Sequence, residues 1–156
     1  LADLVVVPVL RELGAVGVSG IEQATELLLN TAEAESKLTY LRQWGNGPAL
    51  GLWQMEPPTH DDIWSNFLDY RPELAKRVRS LAVDGLPDAR QLVGNLYYAA
   101  AMARVHYLRV PEPLPAAGDL AAQAGYWKAH YNTHLGKGTH EHFLAHAQAG
   151  AGGNVA

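Results

Sequence analysis

Apolar residues recur along the chain at helical spacing, and no stretch sustains the alternation expected of a half-buried strand. The opening LADLVVVPVL predicts an apolar helix of roughly a dozen residues, stopped near Gly14 and Gly17. Ser19 with Glu22 three positions later matches a capping box, so a second helix should begin at about Gly20 and run to about Ser36. From Lys37 to Pro58, glycines, prolines and aromatics predict an irregular segment with a short hairpin as an option. Thr59 would then cap a helix over HDDIWSNFLDY with Asp62 at the capping-box position, and Pro72 suits the first turn of RPELAKRVRSLA. Past the GLPD turn, a long Ala- and Tyr-rich helix is predicted from about Asp88 to Leu108, its small residues suited to close packing. PEPLP reads as a loop, and the last two helices should cover about Asp119 to Tyr131 and, after GKG, Thr139 to Gln148. The expected fold is mainly α, one domain over residues 1–148 with an irregular loop or small hairpin after the second helix, followed by a small-residue flexible tail, 149–156.

The second helix separates two carboxylates by geometry. At 100° per residue, positions seven apart lie within about 20° on the helical wheel. Ile21, Leu28 and Glu35 share one stripe, joined by Ala24 and Thr31, so Glu35 should terminate the buried face. Glu33 continues the polar stripe of Glu22, Glu26 and Asn30, with Lys37 one turn on for an i,i+4 pair, and reads as solvated. A carboxyl at the end of an apolar stripe loses hydration, which raises its pKa and suits it to act as a general acid near neutral pH. Its structural alternative is to hydrogen-bond into the following loop and hold it.

Composition narrows the classes. A chain of 156 residues with 48% hydrophobic content can bury one core. A net charge of −4 gives no electrostatic footprint for nucleic acid, and the absence of cysteine removes any disulfide framework. The opening segment is too short for a membrane span, is interrupted by Pro8 and lacks a basic leader, so it reads as a core helix rather than a signal peptide. His130 and His134, like His142 and His146, are spaced i,i+4, but neither pair has a clear third ligand and His140–Glu141–His142 is not an HExxH signature. All seven histidines therefore read as solvated, and neither a metal nor a cofactor is expected.

The segment after the second helix carries a resemblance. Glu35–Ser36, then Gly51–Leu52–Trp53–Gln54 nineteen positions after the glutamate, then Pro58–Thr59, resembles the lysozyme-like lytic transglycosylases, in a phage- or prophage-encoded branch. QLVGNLYYAAAMARVHYL is loosely similar to an Asn-x-x-x-Gly-x-x-Tyr-Leu helix of that family, and Tyr131–Asn132 in WKAHYNTHLGKGT resembles its Ala-Tyr-Asn-x-Gly motif. The likeness spans about Glu22 to Thr139. Three departures touch the sugar subsites: Trp53 replaces a usual methionine, Glu56 stands where the family is apolar, and three residues separate Asn132 from Gly136.

The resemblance implies a lysozyme-like helical domain that cleaves the β-1,4 bond between N-acetylmuramic acid and N-acetylglucosamine, with peptidoglycan glycan strands as partner. Glu35 would donate a proton and then act as base, giving a 1,6-anhydro end or, with water, a hydrolytic one. Ser36, Gly51, Trp53, Gln54, Tyr131 and Asn132 would bind substrate, Gly51 by letting backbone approach the ligand. Each also has a structural alternative as a loop or core contact. Trp44 and Trp64 are stacking candidates more readily explained as core. Glu56, Asp61 and Asp62 are candidates for a second carboxylate. Asp62 is better explained as a cap partner and Asp61 as a first-turn charge, and a loop-bracing role suits Glu56. The implied setting is a phage virion, with other virion proteins as further partners, or the host envelope. Export would rest on a leader beyond these residues, a holin or delivery in the particle. Two other classes stay open: a phage structural protein that keeps the scaffold without activity, and a module that binds glycan without cutting it.

Overall fold

The computed structural model describes residues 1–14, 17, 20–132 and 137–151. Seven α-helices make up the frame: α1 (Val7–Gly14), α2 (Ile21–Ser36), α3 (Pro57–Asn66), α4 (Pro72–Ser80), α5 (Leu96–Leu108), α6 (Leu120–Trp127) and α7 (His140–Ala151). Among the described residues no strand forms; two isolated antiparallel bridges, Arg42 to Leu50 and Leu50 to Met55, stand where a small hairpin was expected. No helix among the described residues is long and apolar enough to cross a membrane. Ser19, His134, Gly136 and residues 152–156 of the expected tail lie outside the described residues; α7 itself continues to Ala151.

α5 is the central element. Ala100, Ala101, Met102, Ala103 and Val105 are fully buried, because α1, α2, α3 and α4 all pack around it. A helix apolar on every side belongs in a core, and the alanines let its neighbours approach closely. It is shorter than the sequence suggests. Ala89–Leu92 form a separate 3₁₀ turn, and Asn95 restarts the helix, its Oδ1 accepting from Tyr98 N at 3.1 Å while its Nδ2 donates to Leu81 O at 2.8 Å. A strong N-cap three residues into an apolar run ends one helix and begins another.

The N-terminal segment starts as a π-helical turn, Ala2–Val6. Pro8 removes the N–H that an α-helix would aim at Leu4 O, and the Tyr97 hydroxyl donates to that carbonyl at 2.9 Å instead. α3 also differs from expectation. Pro57 and Pro58 occupy its first two positions with Glu56 as N-cap, so Thr59 lies inside the helix and caps nothing. Asp61 and Asp62 fall beyond the first turn: Asp61 meets His60 Nδ1 at 2.8 Å, and Asp62 accepts from Asn66 and Arg109. Ile21, placed on the buried stripe by spacing, is 39% exposed at the start of α2, where little packs over it.

The buried residues form two clusters. The larger joins α1 to α5 and the loop residues Leu50, Leu52, Trp53 and Met55. The smaller comprises Ala34, Ala124, Trp127, Phe143 and Ala147, where α6 and α7 close on the end of α2, and Tyr131 packs against both. Glu35 stands where the two meet.

Candidate active site

α2 is stopped immediately beyond Glu35. Lys37 and Leu38 both take left-handed backbone, φ 54° and 51°, and Lys37 N bonds back to Glu33 O at 2.9 Å. Non-glycine residues disfavour this region, so the turn is strained and is held by its surroundings. Ser36 is turned inward, its Oγ donating to Ala32 O at 2.9 Å. The last helical turn thus aims Glu35 across to α6 and the π-helical turn Lys128–Asn132.

Two donors meet the carboxylate there. Trp127 Nε1 donates to Glu35 Oε1 at 2.9 Å, and Asn132 Nδ2 reaches the same oxygen at 3.3 Å. Asn132 is oriented in turn by Lys128 Nζ, which donates to its Oδ1 at 2.9 Å. Among the described residues both of these hydrogen bonds fall on Oε1. Burial lifts the Glu35 pKa above the ordinary glutamate range, and this outweighs the opposing pulls of Asn132, Trp127, His142 and Lys128.

The carboxyl opens on a groove of about 900 Å³. α3 and the preceding loop form one wall through Gln54, Glu56 and Pro58; Tyr131, Asn132 and His142 stand on the other. Tyr131 donates its hydroxyl to Trp53 O at 2.8 Å, and its ring lies 4.8 Å from His106 and 5.1 Å from Tyr107, centroid to centroid. Burial, with Glu35 nearby, holds the Tyr131 hydroxyl well above the usual tyrosine range, so it stays a neutral donor.

Farther along the groove, Arg109 donates to Asp62 Oδ2 at 2.6 Å and to His106 Nδ1 at 3.0 Å. An arginine can only donate, so Nδ1 accepts, and His106 carries its proton on Nε2, which faces His130 O at 3.0 Å. Burial and Arg109 push the His106 pKa down to about 4, so the ring is neutral at physiological pH.

The groove therefore gathers Glu35, Gln54, Glu56, Asp62, Tyr131 and Asn132 from the sequence candidates. It does not gather Ser36, Gly51 or Trp53. Trp53 is 1% exposed and donates Nε1 to Leu28 O at 2.9 Å, so it braces α2 and cannot stack on a sugar. Gly51, at φ 75°, serves a different approach from the one expected. A Cβ there would lie 2.1 Å from Leu92 O, so the glycine admits the neighbouring turn, not a ligand. Gln54 uses its amide nitrogen on Gly51 O at 2.8 Å and Tyr40 O at 3.2 Å, which brace its own loop while its side chain lines the groove. Trp64 is buried as expected, bonded to Tyr98 OH at 2.9 Å, whereas Trp44 is 82% exposed.

The histidines are not uniformly solvated. His60 is buried against Tyr98, His106 lies in the groove wall, and His142 donates Nε2 to Ala34 O at 2.8 Å beside Glu35. Sequence spacing did not single out Trp127, Lys128, His106 or Arg109, and it raised His142 only as a metal-ligand candidate. The one available signal was that Trp127 and Tyr131 are four apart on a single turn of the segment carrying Tyr131–Asn132.

The chain matches no family model, no curated protein and no solved structure.

Proposed function

We propose that the chain is a peptidoglycan-cleaving glycosidase of lysozyme-like, lytic-transglycosylase type, with Glu35 as its one acid and base. The observation that carries this reading is a desolvated carboxyl at the edge of an open groove, bonded through one oxygen to Trp127 and Asn132, with its pKa raised by burial. A general acid must keep its proton at working pH and be positioned to release it.

In the proposed reaction Glu35 gives its proton to the glycosidic oxygen as the bond from muramic C1 breaks. As charge forms on the carboxylate, the Trp127 and Asn132 donors stabilise it, since hydrogen bonds to a charged acceptor are the stronger ones. The carboxylate then takes the proton of the muramic O6 hydroxyl while that oxygen attacks C1, closing a 1,6-anhydro ring; a water in that position gives the hydrolytic product. The substrate's own N-acetyl group can stabilise the cationic centre. Asp62 is committed to Arg109 and Glu56 is an exposed helix N-cap, so neither displaces the single-acid reading.

Purified peptidoglycan incubated with the wild-type chain should release soluble muropeptides, and Glu35→Gln should not. Mass spectrometry of the released sugars separates anhydro from reducing ends. Wild-type protein that releases nothing would end the catalytic reading.

A further inference from the structure

Three of the four tryptophans are buried; Trp44 is 82% exposed. It does not stand alone. Its ring meets Tyr40 edge to face at 5.8 Å, and Leu38, Tyr40 and Leu41 around it are each about 40% exposed. An indole left in water beside other apolar groups marks a contact surface.

The tip that carries it is pinned. Gln43 N donates to Ala49 O at 3.0 Å, and Ala49 N returns to Gln43 Oε1 at 3.3 Å, closing the turn through Gly45, Asn46 and Gly47. Gly47 lies directly beneath the Gln43 side chain, where a Cβ would come within 2.2 Å of Oε1. The platform is also continuous with the groove. Gln43 and Ala49 line it, and Gln54, on its wall, donates to the Tyr40 carbonyl.

We propose that Tyr40 and Trp44 form an outer sugar subsite, stacking on a pyranose ring of a glycan strand that continues out of the groove past Gln43. The inference rests on the glycan-cleaving reading and adds where the strand leaves the cleft. The C–H face of an N-acetylhexosamine carries weak positive charge and fits the negative face of an indole, and both are large enough to bury useful area. A fixed aromatic also loses little side-chain freedom on binding.

The test uses the inactive Glu35→Gln chain, so that nothing is cleaved, and soluble N-acetylglucosamine hexamer as probe. Because the other tryptophans are buried, Trp44 supplies the exposed-indole emission, and hexamer should shift it to the blue. Adding Trp44→Ala should abolish the shift and weaken binding, read by calorimetry, by about tenfold; Trp44→Phe should restore most of the binding, read by calorimetry. Hexamer binding that is equal with and without Trp44 overturns the subsite, and so does a blue shift given by anionic phospholipid vesicles but not by hexamer. Muropeptide release by the wild-type chain distinguishes the two failures. Release with Trp44-independent binding sinks the subsite alone; Trp44-dependent binding without release sinks the catalytic step alone; neither binding nor release sinks both.

Discussion

Trp127 donates its indole N–H to Oε1 of Glu35 at 2.9 Å, across 92 positions of sequence. This bond favours the ionised carboxylate and so opposes the burial that raises its pKa. Trp127→Phe keeps an aromatic against Phe143, whose ring centroid is 5.2 Å away, and removes the donor. The Glu35 pKa should rise further, and the alkaline limb of the pH–activity curve should move to higher pH. Carbon-13 titration of the Glu35 carboxyl checks it directly; an unchanged or lower value would show that the bond does not tune the acid. The smaller ring should also cost about 1–3 kcal/mol of stability.

Glu35 ties stability to pH with a definite sign. Its folded pKa lies above its unfolded one, so its favourable contribution is complete at acid pH and is lost as pH rises through the folded value. Glu35→Gln keeps the shape without the charge. It should therefore melt higher than wild type at neutral and mildly alkaline pH, by about 2–4 °C for each kcal/mol relieved, with the gap closing as the solution is acidified. A gap that widened on acidification would contradict the burial argument.

His106 slopes the other way. With its folded pKa near 4, against about 6.5 when unfolded, its contribution is present above pH 6.5 and is lost as pH falls toward 4. The change amounts to about 3 kcal/mol across that window. His106→Gln should flatten the acid side of a pH–Tm curve while leaving the alkaline side as it was.

Trp53 separates a structural from a sugar-binding role. Buried, and bonded to the α2 backbone, it should cost about 3–5 kcal/mol when replaced by alanine, read by chemical denaturation. Trp53→Phe should recover most of that stability and leave affinity for the hexamer unchanged; a loss of affinity without a loss of stability would return Trp53 to the cleft.

Gly51→Ala brings a Cβ against the Leu92 carbonyl at a backbone angle that alanine disfavours. The variant should be destabilised by more than 1 kcal/mol and should lose the bond from Gln54 Nε2 to Gly51 O, visible as a shifted Gln54 side-chain amide resonance.

The helices were legible because their apolar spacing is local, and so was the buried stripe of α2, on which Ala24, Leu28 and Thr31 lie although Ile21 does not; Glu33, which read as solvated, is half-buried. Pro72 was legible for the same reason, since proline at a first turn is a local preference. Pro57 and Pro58 open α3 by that same preference, yet beside a glycine-rich loop they read as its end. The break before Asn95 was hidden because apolar residues continue on both sides of it, and only its cap bonds reveal it. Trp53 and His60 were misplaced because burial of a loop residue or a histidine depends on what folds over it, which spacing along one element does not record. Trp127 was missed for a related reason: its partner lies on another helix, and no pattern within α6 points there.

The division of the interior into two clusters has a consequence for assembly. The larger cluster is complete once α5 is in place, but Glu35 acquires both of its donors only when α6, the turn to Asn132 and α7 dock onto the end of α2. A nascent chain that has emerged only through Leu108 holds every buried residue of the main cluster while its glutamate still lacks both donors. The bonds that tune the acid are thus acquired last, and a local opening of α6 and α7 ahead of the remaining helices, read by hydrogen exchange, would remove them without unfolding the rest.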